Sequence, residues 1–112
     1  MHMHSPRSIT LATLLAAAVG GAYGAEPEAL LVIKNHRFEP AELKVPAGQR
    51  IKLIVHNQDT TPEEFESHSL NREKVIPAGA KATLFIGPLK PGRYPFVGEY
   101  NEATAKGVVV VE

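Results

Sequence analysis

The 112-residue chain carries 12 Lys and Arg against 12 Asp and Glu, with five His and no Cys. Balanced charge without a basic stripe or a polybasic tail excludes a nucleic-acid binder and a surface polycation for membranes. The missing Cys excludes a disulfide, a thiolate nucleophile and a lipid-anchored cysteine.

In chain order, "MHMHSPRS" holds one Arg and no acid and runs into "ITLATLLAAAVGGAYG", which is apolar and uncharged. That run falls short of the ~20 residues a spanning helix needs. Ala22, Tyr23 and Gly24 supply the residues expected at a cleavage site. The reading is a secretory signal cut after about Gly24, leaving a periplasmic domain over 25–112 with no direct membrane insertion. Beyond it no helical period of useful length occurs. "ALLVIKN" is a short run of strand formers; in "FEPAELKVPAGQ" Ala41, Leu43 and Val45 alternate with Glu42 and Lys44. "RIKLIVHNQD" sets Ile51, Leu53 and Val55 on one face and Lys52, Ile54 and His56 on the other. "EEFESHSL", "EKVI", "KATLFIG", "RYPFVGEY" and "GVVVVE" bring the expected strands to about eight. The Gly and Pro clusters "PAGQ", "DTTP", "IPAGA" and "GPLKPG" mark turns, since such breakers are unsuited to central strands. This spacing predicts an all-β, Greek-key, two-sheet sandwich. Tyr94, three residues after a Pro-Gly turn, has the setting of a tyrosine that ties down a corner between sheets, with Phe96 on the same face in the core. No "GxSxG", phosphate-cradling loop or "HExxH" is present, and Ser67 beside His68 points the opposite way along a strand. A hydrolase is excluded on these grounds.

From Asn35 to Glu112, the order "F-EPAELKVPAGQ", "VHNQDTTPEEFES", "EKVIPAGAKATLFIGPLKPGRYPF", "AKGVVVVE" resembles the small cupredoxin domains of bacterial iron-uptake systems. The nearest in pattern are the EfeO-type cupredoxin domain and the FtrB-like periplasmic proteins that accompany ferrous-iron permeases. The resemblance implies a cupredoxin-like sandwich that handles iron or copper in the periplasm, in a role of Fe(II) oxidation or transfer. An iron permease or a periplasmic iron-binding protein is its implied partner.

A blue-copper centre sets two His and a Cys thiolate around the metal with a weak axial Met. On the cupredoxin pattern, the Cys position falls on Gly98 and the downstream His on Asn101. The Met falls at Ala105 or Lys106, and the upstream His at Glu63 or Glu64. All four ligands are missing, so no type 1 blue-copper site is expected. The sulfur-rich EfeO-type pattern places its Cys on Phe38 and Gly98 and its Met on Phe96, and it retains only Glu64. The aromatic side chains there read as core.

What stands out is oxygen. Alternation sends Glu63 and Phe65 to one face and Glu64, Glu66 and His68 to the other. With Glu99 and Glu102 from the later loop, Glu64, Glu66 and His68 form the candidate metal set, a donor mixture suited to iron, manganese or zinc and acceptable to Cu(II). Exposed Glu on an edge strand is also ordinary solvation, and that reading fits Glu102 well. His36, beside Asn35 as its cap, is an alternative ligand, whereas His56 reads as a sheet-surface residue. A second class of function stays open: a metal-free sandwich serving as a docking subunit for a permease or an iron-binding partner.

Overall fold

Strand formation follows the two-residue alternation closely, and the computed structural model describes residues 26–112. The expected signal and its cleavage point lie outside the described residues. Among the described residues nine strands form: β1 (Glu28–Lys34), β2 (Arg37–Glu39), β3 (Glu42–Val45), β4 (Ile51–Asn57), β5 (Glu63–Ser67), β6 (Arg72–Ile76), β7 (Lys81–Ile86), β8 (Gly92–Gly98) and β9 (Lys106–Val111). They build a sheet of order β2-β1-β4-β7 and a second of order β3-β9-β8-β5-β6. The pairs β1/β4 and β3/β9 are parallel and the other pairs antiparallel. The all-β, two-sheet expectation therefore holds. Among the described residues no helix is long and apolar enough to cross a membrane.

The ninth strand comes from "FEPAELKVPAGQ", expected as one segment. Pro40 divides it, so β2 joins one sheet and β3 the other. Proline breaks the run because it offers no N–H to a ladder. The preceding turn places Asn35 and His36 in the left-handed region, with φ of 54° and 57°. Asp59 holds it there by accepting the N–H of Asn35 at 2.7 Å and that of His36 at 2.9 Å. The cap on His36 is thus Asp59 and not Asn35.

Inward-facing residues of both sheets fill the core: Leu31, Ile33, Leu53, Val55, Phe65, Ile86, Phe96 and Val109 are all buried. At its centre Phe38 stands edge-on to Phe96 with centroids 4.9 Å apart, and Phe65 lies 5.2 Å from Phe96. Edge-to-face aromatic pairs add about 0.5–1.5 kcal/mol beyond the area they bury. Two of the three positions that this pattern assigns to sulfur ligands, Phe38 and Phe96, are therefore aromatic core, as the sequence implied. Asn57, also buried, ties the end of β4 across the sandwich. Its Nδ2 donates to Thr61 O at 2.9 Å and Ile76 O at 3.0 Å, and its Oδ1 accepts from Asp59 N at 3.0 Å. This fixes where the chain enters β5.

One breaker does occupy a central strand. Pro95 lies inside β8, between β9 and β5. Pairing of β5 with β8 spans only Phe65 with Gly98 and Glu66 with Val97. Past that point the Ser67 hydroxyl takes over, donating to Pro95 O at 2.7 Å and accepting from Leu70 N at 3.2 Å. The chain can therefore leave the sheet at Ser67 and turn into β6.

Tyr94 ties its corner as expected: its hydroxyl donates to Lys90 O at 2.8 Å. Replacing it by Phe removes one hydrogen bond and little volume, a loss of about 1 kcal/mol. Urea unfolding of Tyr94→Phe should show a lowered midpoint with unchanged slope; an unshifted midpoint would mean that the corner bond contributes nothing.

Candidate functional site

The five residues of β5 serve two different places. Glu63, Phe65 and Ser67 are buried and Glu64 and Glu66 half-buried, so alternate side chains enter the sandwich and face out of it.

On the inner side, Glu63 is 1% exposed. Its Oε1 accepts the N–H of Glu64 at 3.0 Å and that of Tyr100 at 2.9 Å, while Oε2 accepts from Asn101 Nδ2 at 2.7 Å. Burying a carboxyl group is costly unless donors satisfy it, and three do. The space it fills is the space a side chain at Gly98 would need. A Cβ there would lie 2.7 Å from Glu63 Cδ and 2.6 Å from Ala105 Cβ. The positions where a blue-copper centre would take Cys, His and Met are thus gathered in one place, and they hold Gly98, Asn101 and Ala105 packed around an internal carboxyl group. With no thiolate, imidazole or thioether among these donors, the residues present do not fit a type 1 copper ion.

On the outer side, register brings carboxyl groups together. Glu66 pairs directly with Glu73 across β5 and β6. Glu99 follows Gly98, the partner of Phe65, and opens a short 3-10 turn, Glu99–Asn101, rather than continuing the strand. His68 lies one residue beyond the end of β5, on the turn to β6, so it reaches the group from a loop and not from the strand expected for it. A pocket of about 160 Å³ is lined by Glu66, Ser67, His68, Asn71, Arg72 and Glu73. Arg72 donates from Nε to Phe85 O at 2.9 Å and from Nη1 to Asn71 O at 2.8 Å. Ion pairs among the described residues join Glu26 to Arg50, Glu28 to Lys52 and Glu42 to Arg93, and none involves this group.

Crowding shows in the protonation of the group. Glu64 is pushed up to about 7, first by a hydrogen bond with the Glu73 carboxyl group, then by partial burial and by the charges of Glu73, Glu99 and Glu66. Glu99 is raised as well, first by a hydrogen bond with Glu66, then by burial and the Glu66 charge, with His68 acting the other way. A hydrogen bond between two carboxyl groups needs a proton on one of them. The structure therefore draws together Glu64, Glu66, Glu99 and His68 of the sequence-derived set. Glu102 closes the turn, exposed, and is not among the charges acting on Glu64 or Glu99. Glu73 was missed from the sequence; counting the hairpin register back from Ser67 opposite Arg72 would have found it. Among the described residues, no three His, Cys, Asp or Glu stand in an arrangement that could hold a metal ion. What the cluster does offer is a set of crowded carboxyl groups that no Lys or Arg among the described residues ion-pairs.

The raised Glu64 makes a signed prediction. The folded protein keeps on Glu64 a proton that the unfolded chain releases near 4.5, so this contribution to stability is full below 4.5 and is lost as pH rises through about 7. Thermal melting across that window should fall more steeply with pH for the wild type than for Glu64→Gln. Parallel profiles would show that the carboxyl groups are not crowded.

The model of the Cupredoxin-like domain matches residues 7–111. An uncharacterized protein of Rickettsia prowazekii (strain Madrid E) is 43% identical over 84 residues, covering 75% of this chain and 67% of that protein. Among solved structures, the metal-binding domain of the Streptococcus pneumoniae Cu(I)-exporting P-type ATPase CopA, with Cu(I), superposes with a TM-score of 0.67 at 15% identity, covering 76% of this chain and 84% of that one. The purple cupredoxin of Nitrosopumilus maritimus gives 0.60 at 18% identity over 75% of this chain and 99% of that one. Amicyanin from Paracoccus versutus gives 0.60 at 14% over 81% and 87%. At these identities the structures speak for the fold alone. The family match spans nearly the whole sequence and agrees with the sandwich, and this chain belongs to the cupredoxin-like domain family.

Proposed function

We propose that this protein is a metal-handling member of the cupredoxin-like family whose cation site lies on the outer face of β5 and β6, displaced from the position of a blue-copper centre. The observation that carries this reading is the pairing of Glu66 with Glu73, with Glu64, Glu99 and His68 acting on the same group, and with no ion pair among the described residues reaching it. Carboxylates and one imidazole are hard to borderline donors, suited to iron or manganese and acceptable to Cu(II). Binding a cation would replace the shared protons and relieve the repulsion. Carboxylates stabilise Fe(III) over Fe(II), which suits an oxidation or ferric relay. Together with the resemblance to iron-uptake domains, this supports a periplasmic role in ferrous-iron uptake, with a permease or a periplasmic iron-binding protein as recipient.

A second reading, a metal-free docking subunit, is favoured by one observation: no three of these side chains are set for a metal among the described residues. Calorimetric titration of the purified protein with Mn(II), Fe(II), Fe(III) and Cu(II) separates the two. The expected result is stoichiometric binding, without an intense thiolate absorption band, that weakens by about tenfold or more in Glu64→Gln and in Glu66→Gln. Failure of every ion to bind below millimolar would leave the docking reading.

A further inference from the structure

We infer that the outer face of the five-stranded sheet is a contact surface for a second copy of this chain, in a two-fold dimer. Lys106 of each copy lies against Glu66 of the other, and Val108 of each enters a hollow beside Pro95 of the other. The dimer does not require the cation-site reading and forms with no metal bound.

Pairing fixes which side chains share that face. Val109 and Val111 of β9 and Phe96 of β8 are buried in the core, so Lys106, Val108 and Val110 face outward together with Pro95 and Val97. Register then sets these residues in rows across the strands. Lys106, Val97, Glu66 and Glu73 form one row, from β9 through β8 and β5 to β6. The next row holds Glu42, Val108 and Pro95, and no β5 residue continues it because that strand ends at Ser67. Where β5 departs there is a hollow of about 230 Å³, lined by Pro95, Phe96 and Val97 and by residues 66–69. An apolar block thus runs along β8 and β9, with Pro95 exposed and Val97, Val108 and Val110 half-buried. Contiguous apolar surface of this kind marks a contact site. On its β9 side stands Lys106, and on its β5 side stand Glu66 and Glu73. Arg93 shares the face but is already paired with Glu42 at 3.2 Å, whereas Lys106 takes part in none of the ion pairs among the described residues.

Such a face is complementary to itself. A two-fold axis lying along β8 keeps the rows level and exchanges their two ends, so every contact occurs twice. Lys106, one strand from Val97 on the β9 side, meets Glu66 of the copy, one strand from Val97 on the β5 side. Val108, one strand from Pro95, meets the hollow of the copy, and Val97 meets Val97. Aligned sheets pack with a turn of about 30° between them, which the flexible stem of Lys106 can span.

Sedimentation equilibrium of the purified protein, in buffer containing a chelator, tests this. The expected result is a dimer that weakens as salt is raised, and by about tenfold or more in Lys106→Ala and in Glu66→Gln. A mixture of charge variants decides the pairing. Lys106→Glu and Glu66→Lys each set like charges at both contacts and should be monomeric alone. Mixed in equal amounts they should form a heterodimer, because both contacts then join opposite charges. If both variants melt cooperatively and their mixture stays monomeric, the inference is overturned. Should either fail to fold, Lys106→Ala and Glu66→Gln carry the test, and wild-type association in both overturns it. A wild type that is monomeric at millimolar concentration, or that grows beyond a dimer, overturns it as well. So does a dimer kept in Val108→Ser and lost in Leu30→Ser, which would move the contact to the four-stranded sheet, where Leu30 is 54% exposed. A dimer formed in chelator stands whichever way the metal titration falls.

Discussion

The alternation of side chains along β5 is the constraint on which both faces of its sheet depend. Five residues send a carboxyl group, a phenyl ring and a hydroxyl inward and two carboxyl groups outward. Phe65 joins the aromatic centre, Ser67 replaces the ladder bond interrupted by Pro95, and Glu63 anchors the loop that leaves β8. A slip of one residue would exchange these sets. Register is therefore strongly specified here: Phe65 would reach water, and two carboxyl groups would enter a core that offers donors for only one.

Filling the copper position with a carboxyl group changes how the loop is held. A metal orders its loops only when bound, and its affinity is coupled to folding. Here the loop is ordered by hydrogen bonds within the chain, through Glu63, Asn101 and the Tyr100 amide. Gly98 has no room for a side chain because the Glu63 carboxyl group and the Ala105 methyl group both lie against it. The exchange is consequently a set of linked residues. Returning a Cys to position 98 alone would drive its Cβ into Glu63 and would supply one ligand without the other three.

Much of this architecture was legible in the sequence, and where it was not, the missing information was of a single kind. Strict alternation in "RIKLIVHNQD" and the Pro-Gly setting of Tyr94 are local signals, and β4 and the tyrosine corner follow from them. The aromatic trio was half visible, since Phe38 and Phe96 stand where soft ligands would be expected. The split of "FEPAELKVPAGQ" between sheets shows in the sequence only as a change of phase across Pro40, from Phe38 to Leu43 and Val45. Glu73 and the role of Glu63 were hidden because each depends on a partner in another strand. Glu66 meets Glu73 only through the β5/β6 register, and Glu63 meets Tyr100 across 37 positions of sequence. His68 was read as a strand residue, yet it lies just past the end of β5, on the turn to β6. Alternation reports which face a side chain takes; pairing and turns decide what meets it there.

Like charges placed opposite one another in a sheet are destabilising. The pairing of Glu66 with Glu73, with Glu64 and Glu99 at its flanks, therefore acts against the fold as long as protons are its only remedy. Protons relieve it at the acidic end and leave as pH rises through about 7, where the repulsion is fullest. On the proposed reading, a cation would enter as those protons leave, competing for the same oxygens, and binding to the folded state alone would return stability by mass action. Affinity would then rise with pH over the window in which Glu64 gives up its proton. The internal carboxyl group of Glu63 keeps the turn carrying Glu99 in place whichever species occupies the outer face. Ordering the loop and neutralising the cluster become separate tasks, which in a blue-copper centre a single metal ion performs together.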